Sequence, residues 1–163
     1  MVEPLTAGEI RSCFVNASKG EAKRLQLPRD LGETPWADLD FLAWSDPAGS
    51  DRIYLVVPHQ GRIVGIFLRQ SRGAKAPRKN LCSVCLTSHN ADGVRLTVAP
   101  RVGDAGKRGN TVGLYLCADL ACSLYVRGKK TPPHPRFHET ITTEQAITRL
   151  QSAIAAFVDR VVS

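Results

Sequence analysis

Thr6 and Glu9 stand in capping-box spacing, with the Thr hydroxyl placed to meet the Glu9 amide and the Glu9 side chain placed to reach back. Ile10, Cys13, Phe14 and Ala17 then recur at helical spacing, and Gly20 offers a stop. The pattern predicts one short amphipathic helix, with Cys13 as a small core residue on its apolar face. Leu27-Pro28-Arg29-Asp30 and residues 35–44 read as a connector in which Trp36, Phe41 and Trp44 either seal the edge of the core, the expected role, or line a binding groove. The period then shortens. Ile53-Tyr54-Leu55-Val56-Val57 and Ile63-Val64-Gly65-Ile66-Phe67-Leu68 are rich in β-branched and aromatic residues. They flank a turn from Pro58 to Arg62 that contains Gly61, which predicts an antiparallel hairpin. Residues 69–80 are basic and rich in breakers, so they read as a loop. Residues 94–98 and 111–116 read as two further strands, joined by a glycine-rich connection from Pro100 to Asn110. A helix over 118–127 should stop at Gly128, and Lys129 to His138 is proline-rich and irregular. The last helix should begin near Thr142, with Gln145 as its capping partner. Its apolar stripe is Ile147, Leu150, Ile154, Phe157, Val158 and Val161.

Together these elements predict an α+β chain, an antiparallel sheet flanked by N- and C-terminal helices. We expect a single domain over 1–163, with a helix and linker in 1–50, the sheet in 51–138 and the last helix in 139–163. At 43% hydrophobic and 23% charged residues the chain can bury a core, which argues against disorder. No run approaches the roughly 20 apolar residues needed to cross a bilayer, and the N-terminus has neither a basic start nor an apolar stretch. The expected location is the cytoplasm.

Charge changes the picture through its placement. The formal net charge is +7, yet residues 1–68 carry −2 and residues 139–163 carry −1, whereas residues 69–138 carry +10. A concentrated basic stretch points to an acidic partner such as RNA, the ribosome or an acidic protein surface. A solvated basic surface without a partner is the plainer reading.

That stretch also holds four of the five cysteines, as Cys82-x2-Cys85 and, after 31 intervening residues, Cys117-x4-Cys122. In a reducing compartment such pairs argue for metal rather than disulfides. Zinc favours soft ligands in a tetrahedron, and a C-x2-C turn delivers two thiolates to one ion. Cys117 closes a predicted strand and Cys122 falls in the first turns of the following helix. A knuckle, a hairpin and then a helix with the last ligands near its start is the treble-clef arrangement. Four thiolates leave no open position, so the ion is expected to be structural. A redox dithiol at Cys82 and Cys85 would open a helix after a strand and would not need the second pair. His89, four residues after Cys85, could replace one cysteine. His59, His134 and His138 read as ordinary surface histidines.

The runs Leu81-Cys82-Ser83-Val84-Cys85-Leu86-Thr87-Ser88-His89 and Val112 to Lys130 resemble the elongation-factor-G-binding protein family. That family carries a treble-clef zinc finger and includes fusidic-acid-resistance proteins. The hairpin Tyr54 to Pro58 and Ile63 to Gly65 is similar too. The resemblance implies a non-catalytic protein that binds elongation factor G, helps free it from stalled ribosomes and uses the zinc-bearing half as the contact. Carried to matching positions, it implies partner contacts at Ser83, Val84, Arg108 and Thr111, with Arg127, Lys129 and Lys130 as basic additions. In the resistance proteins a helical bundle precedes this domain, whereas here one short helix precedes the linker.

A translation-factor adaptor, working as a monomer, is therefore the first expectation. Direct RNA or ribosome binding is the second, weakened because only 6% of residues are aromatic and few could stack on bases. An enzyme, such as a nuclease on a treble clef, would need a second, histidine-centred metal site with carboxylates. Only His89 and Asn90 adjoin the knuckle, without a carboxylate pair.

Overall fold

Two capping boxes open the chain where one was expected. Thr6 and Glu9 cap α1 (Ala7–Ser12), and Ser18 and Glu21 cap α2 (Lys19–Arg24). Gly20 thus lies inside the second helix rather than ending the first, and Cys13 is the C-cap of α1, half-buried. The computed structural model describes residues 1–71, 81–90, 92–133 and 139–163. Most of the expected basic loop, together with His134 and His138, lies outside the described residues.

The hairpin forms as its composition dictates. Strands β2 (Arg52–His59) and β3 (Arg62–Gln70) pair antiparallel from Arg52↔Arg69 to His59↔Arg62. The connecting Gln60 and Gly61 both take positive φ, the backbone twist that two-residue hairpin turns require. On the other side of β2 runs β1 (Leu42–Ser45), a strand that overlaps the end of the expected connector. Strands β4 (Val94–Pro100) and β5 (Thr111–Cys117) complete a five-stranded antiparallel sheet in the order β1-β2-β3-β4-β5. A short helix, α3 (Asp104–Lys107), interrupts the β4–β5 connection.

Strand β2 is apolar on both faces because both are covered. Ile53, Leu55 and Val57 enter the main core with Val64, Ile66 and Leu68 of β3. That core also takes Ala146, Leu150, Ile154, Phe157, Val158 and Val161, the buried stripe of α5 (Thr143–Val162). Each of the larger side chains among these contributes roughly 1.5–3 kcal/mol on leaving water. Tyr54 and Val56 face the opposite way, into a second core with Ile10, Leu25, Leu42 and Trp44. The sheet is therefore sandwiched between α5 and the N-terminal segment at its β1–β3 end.

Between β3 and β4 the ladder is short, with only Arg69↔Val98 and Gln70↔Thr97 paired. Residues 13–16 fill the wedge. Gly65 donates to the Cys13 carbonyl at 2.9 Å and accepts from Val15 N–H at 3.0 Å. The Asn16 amide spans the gap: its Nδ2 donates to the Phe67 and Pro100 carbonyls, each at 3.0 Å, and its Oδ1 accepts Phe67 N–H at 2.8 Å. A Cβ at position 65 would stand 2.7 Å from Cys13 Sγ, so only glycine lets the segment lie this close. No described helix is long and apolar enough to cross a membrane.

Candidate metal centre

Local backbone turning makes the first knuckle. The Cys82 carbonyl accepts Leu86 N–H at 3.0 Å, the Thr87 carbonyl accepts Cys82 N–H at 3.1 Å, and Leu86 turns through a φ of 56°. Ser83 N–H donates to the Tyr115 carbonyl at 3.1 Å and so docks the knuckle on β5. The second pair forms where β5 ends at Cys117. Leu120 turns through a φ of 59° while its N–H bonds the Cys117 carbonyl at 2.9 Å. Asp119 Oδ1 accepts Ala121 N–H at 3.1 Å, and Cys122 opens α4 (Cys122–Val126). Gly128, at a φ of 68°, ends that helix at the residue where the sequence placed its stop.

All four cysteines are buried, and their Sγ atoms lie within 4.8 Å of one another. Cys82 and Cys122 are 3.7 Å apart, and Cys85 and Cys117 are 3.4 Å apart. A zinc–sulfur bond of about 2.3 Å implies a tetrahedral edge of about 3.8 Å. The donor set and its dimensions thus fit one zinc ion, the cofactor of this treble clef. The thiols also cannot all ionise unaided. Hydrogen bonds from Cys117, and then from Cys122 and Cys85, pull the Cys82 thiol well below its ordinary range, and the same crowding pushes Cys122 well above its own. A cation in their midst removes that conflict. When bound it would supply no open site, only a clamp between knuckle and helix.

A buried polar node anchors the clamp to the rest of the fold. Arg127, just after α4, grips both oxygens of Asp40 at 2.6 and 3.0 Å. Gln151 of α5 donates to Asp40 Oδ1 at 2.9 Å, and Asp40 N–H donates to Ser123 Oγ at 3.0 Å. The Asp40 side chain is only 2% exposed. No motif in the sequence marks Asp40, because its partners lie 83 to 111 residues away.

The expected contact residues divide. Ser83, Arg108, Thr111, Lys129 and Lys130 are exposed. Val84 is buried in the main core, and Arg127 is spent on Asp40, so neither offers a free side chain. Lys130 pairs with Asp119 at 2.8 Å while staying accessible. Ser83 lies against Tyr115 of β5, and Thr111 opens that same edge strand. His59 is no surface histidine: it is buried, with Nε2 2.8 Å from Asp159 of α5, because the hairpin tip folds against that helix. His89 is likewise buried, outside the four-sulfur set but beside it.

The family model described as FBP C-terminal treble-clef zinc-finger matches residues 9–161, and the chain belongs to this family. Among solved structures, that of the fusidic acid resistance protein FusC is similar, with a TM-score of 0.53 and 18% identity. The match covers 85% of this chain and 52% of that one, so the chain spans about half the length of its structural relative. At that identity the likeness concerns the fold. No curated protein matches the chain.

Proposed function

We propose that this chain is a non-catalytic, zinc-stabilised binding protein of the cytoplasm that docks as a monomer on elongation factor G and helps free it from stalled ribosomes. Family membership over 9–161 is the observation that carries the reading. The fold shared with a fusidic acid resistance protein supports it further. So does the knot itself, since four sulfurs at tetrahedral spacing would leave a zinc ion no position for substrate. The four cysteines hold the ion in this proposal. The contact runs along the β5 edge, from Ser83 beside the knuckle to Thr111 and Arg108 at the far end of the hairpin, with Lys129 and Lys130 as a basic rim. A seven-residue strand spans about 20 Å, which is enough for a compact docking line. The chain acts as one domain in which the N-terminal segment supports the zinc half.

The test is capture of purified elongation factor G by the zinc-loaded chain, with and without ribosomes, across ionic strength and after nuclease treatment. Binding that survives nuclease, and an Arg108→Ala variant weakened about threefold to tenfold chiefly in association rate, is the expected result. Binding that requires RNA and falls steeply with salt would favour phosphate contacts instead. Unchanged binding by the Arg108 variant would remove the hairpin end from the interface.

A further inference from the structure

His89 is 5% exposed and lies against the cysteine knot without belonging to it. Its Nε2 lies 3.1 Å from Cys117 Sγ. Two ligands of one zinc ion, a nitrogen at about 2.0 Å and a sulfur at about 2.3 Å, would stand about 3.5 Å apart. The observed separation falls within hydrogen-bonding reach, and the group whose ligand atoms converge on one point is the four sulfurs, which already complete the tetrahedron without His89.

The ring is also held in place from several sides. Its edge meets the Tyr125 ring, with centroids 5.3 Å apart at an interplanar angle of 76°. Tyr125 is fixed in turn, because its hydroxyl donates to Asp119 Oδ2 at 2.6 Å. Gly93 makes room for the histidine: a Cβ there would lie 2.3 Å from the His89 Cβ. Gly93 is itself tied to the metal loop, since its carbonyl accepts Ala118 N–H at 2.8 Å.

A zinc ion with four thiolates carries a net charge of −2, and that charge is stabilised in a buried site by donors aimed at the sulfurs. The knot has few. Val84 N–H points at Cys82 Sγ from 3.4 Å, and the Thr87 hydroxyl lies 3.1 Å from Cys85 Sγ. At Cys117 the group in that position is His89. A thiolate only accepts, so the contact is favourable only when Nε2 carries the hydrogen.

We propose that His89 is a positioning residue of the zinc site, donating its Nε2–H to the Cys117 thiolate and so retarding metal loss. Outer partners of this kind are worth about 10- to 100-fold in metal affinity. The inference concerns the knot alone and stands or falls apart from the partner the protein binds.

The experiment uses the full zinc-loaded chain and its cobalt-substituted form. His89→Phe keeps a ring without a donor, and His89→Gln restores an N–H donor. Zinc transfer to a chelator should be about tenfold faster in the Phe variant and intermediate in the Gln variant. The sulfur-to-cobalt charge-transfer band should move to longer wavelength in the Phe variant, because an unbonded thiolate gives up electron density more readily. In the unmutated zinc protein, a histidine nitrogen-15 spectrum should show a protonated Nε2, which needs no variant to fold. Faster release without the band shift would mean loosened packing only and would overturn the proposal. Unchanged release, an unprotonated Nε2, or a cobalt spectrum of three thiolates and one imidazole would each overturn it as well.

Discussion

At the scale of single residues, burial decides chemistry more than residue type does. Cys13 is a free thiol whose Sγ donates to the Ile10 carbonyl at 3.0 Å, and burial pushes it from near 9 up to about 11. The folded chain therefore holds this proton more tightly than the unfolded chain. Its contribution to stability is complete below the unfolded value near 9 and is lost as pH rises through about 11. A zinc-loaded sample should show negligible labelling of Cys13 by a thiol reagent at about pH 8, with reactivity climbing toward about pH 11. Cys13→Ala should flatten the alkaline loss of stability. Rapid labelling at the lower pH would mean the thiol is not enclosed by Gly65 and Phe14. His59 teaches the same lesson. By sequence it sits beside a turn, yet the turn is folded onto α5 and the ring is buried against Asp159.

At the scale of elements, a twenty-residue α5 and a five-residue α4 are joined through one carboxylate. The Asp40 carboxylate accepts from Arg127 and Gln151, and its own amide donates to the Ser123 hydroxyl. An ion pair this deeply buried need not favour folding over an apolar replacement, because desolvation offsets attraction. Removing one partner is different, since it strands the other charge. Arg127→Ala should therefore cost about 3–5 kcal/mol, seen as a lower denaturation midpoint at unchanged slope. Asp40→Leu combined with Arg127→Leu should recover part of the loss, because neither charge then remains unpaired. If the single Arg127 variant melts like the parent chain, the node does not join these elements. Arg127 then returns to the candidates for partner contact.

Across the whole molecule, what could be read in advance depended on how far apart in sequence the cooperating residues lie. The hairpin, the last helix and the cysteine spacing are local patterns, and β2–β3, α5 and the knuckle form where those patterns stand. Strand β1 was hidden because Leu42 to Ser45 is short and pairs only at an edge of the sheet. The second N-terminal helix was hidden by Gly20, which breaks helical expectation but is outweighed by the Ser18–Glu21 capping box. The inward turn of Val84 and the capture of Arg127 depend on packing across the fold, which no spacing encodes. The same long-range links govern the response to metal loss. Apparent zinc-binding free energies of about 10–16 kcal/mol in small zinc domains rival the roughly 5–15 kcal/mol that holds an ordinary fold together. Without the ion the knuckle and α4 should separate. The contacts of Ser123 and Arg127 with Asp40, and the Ser83 tie of β5 at Tyr115, are the ones that such a separation would release. Chelation at neutral pH should accordingly lower the melting temperature by well over ten degrees, and hydrogen exchange should accelerate first in β4, β5 and α4. The β2–β3 hairpin, clamped on both faces, should hold its protons longest. Acid should act in the same direction, because protons compete for the thiolates that zinc requires. Returning one equivalent of zinc should restore both the melt and the protection in the parent chain, whereas Cys117→Ser should remain in the loosened state. A chain stripped of metal that melts and exchanges as before would show that packing alone closes the knot, and the zinc would then be a passenger.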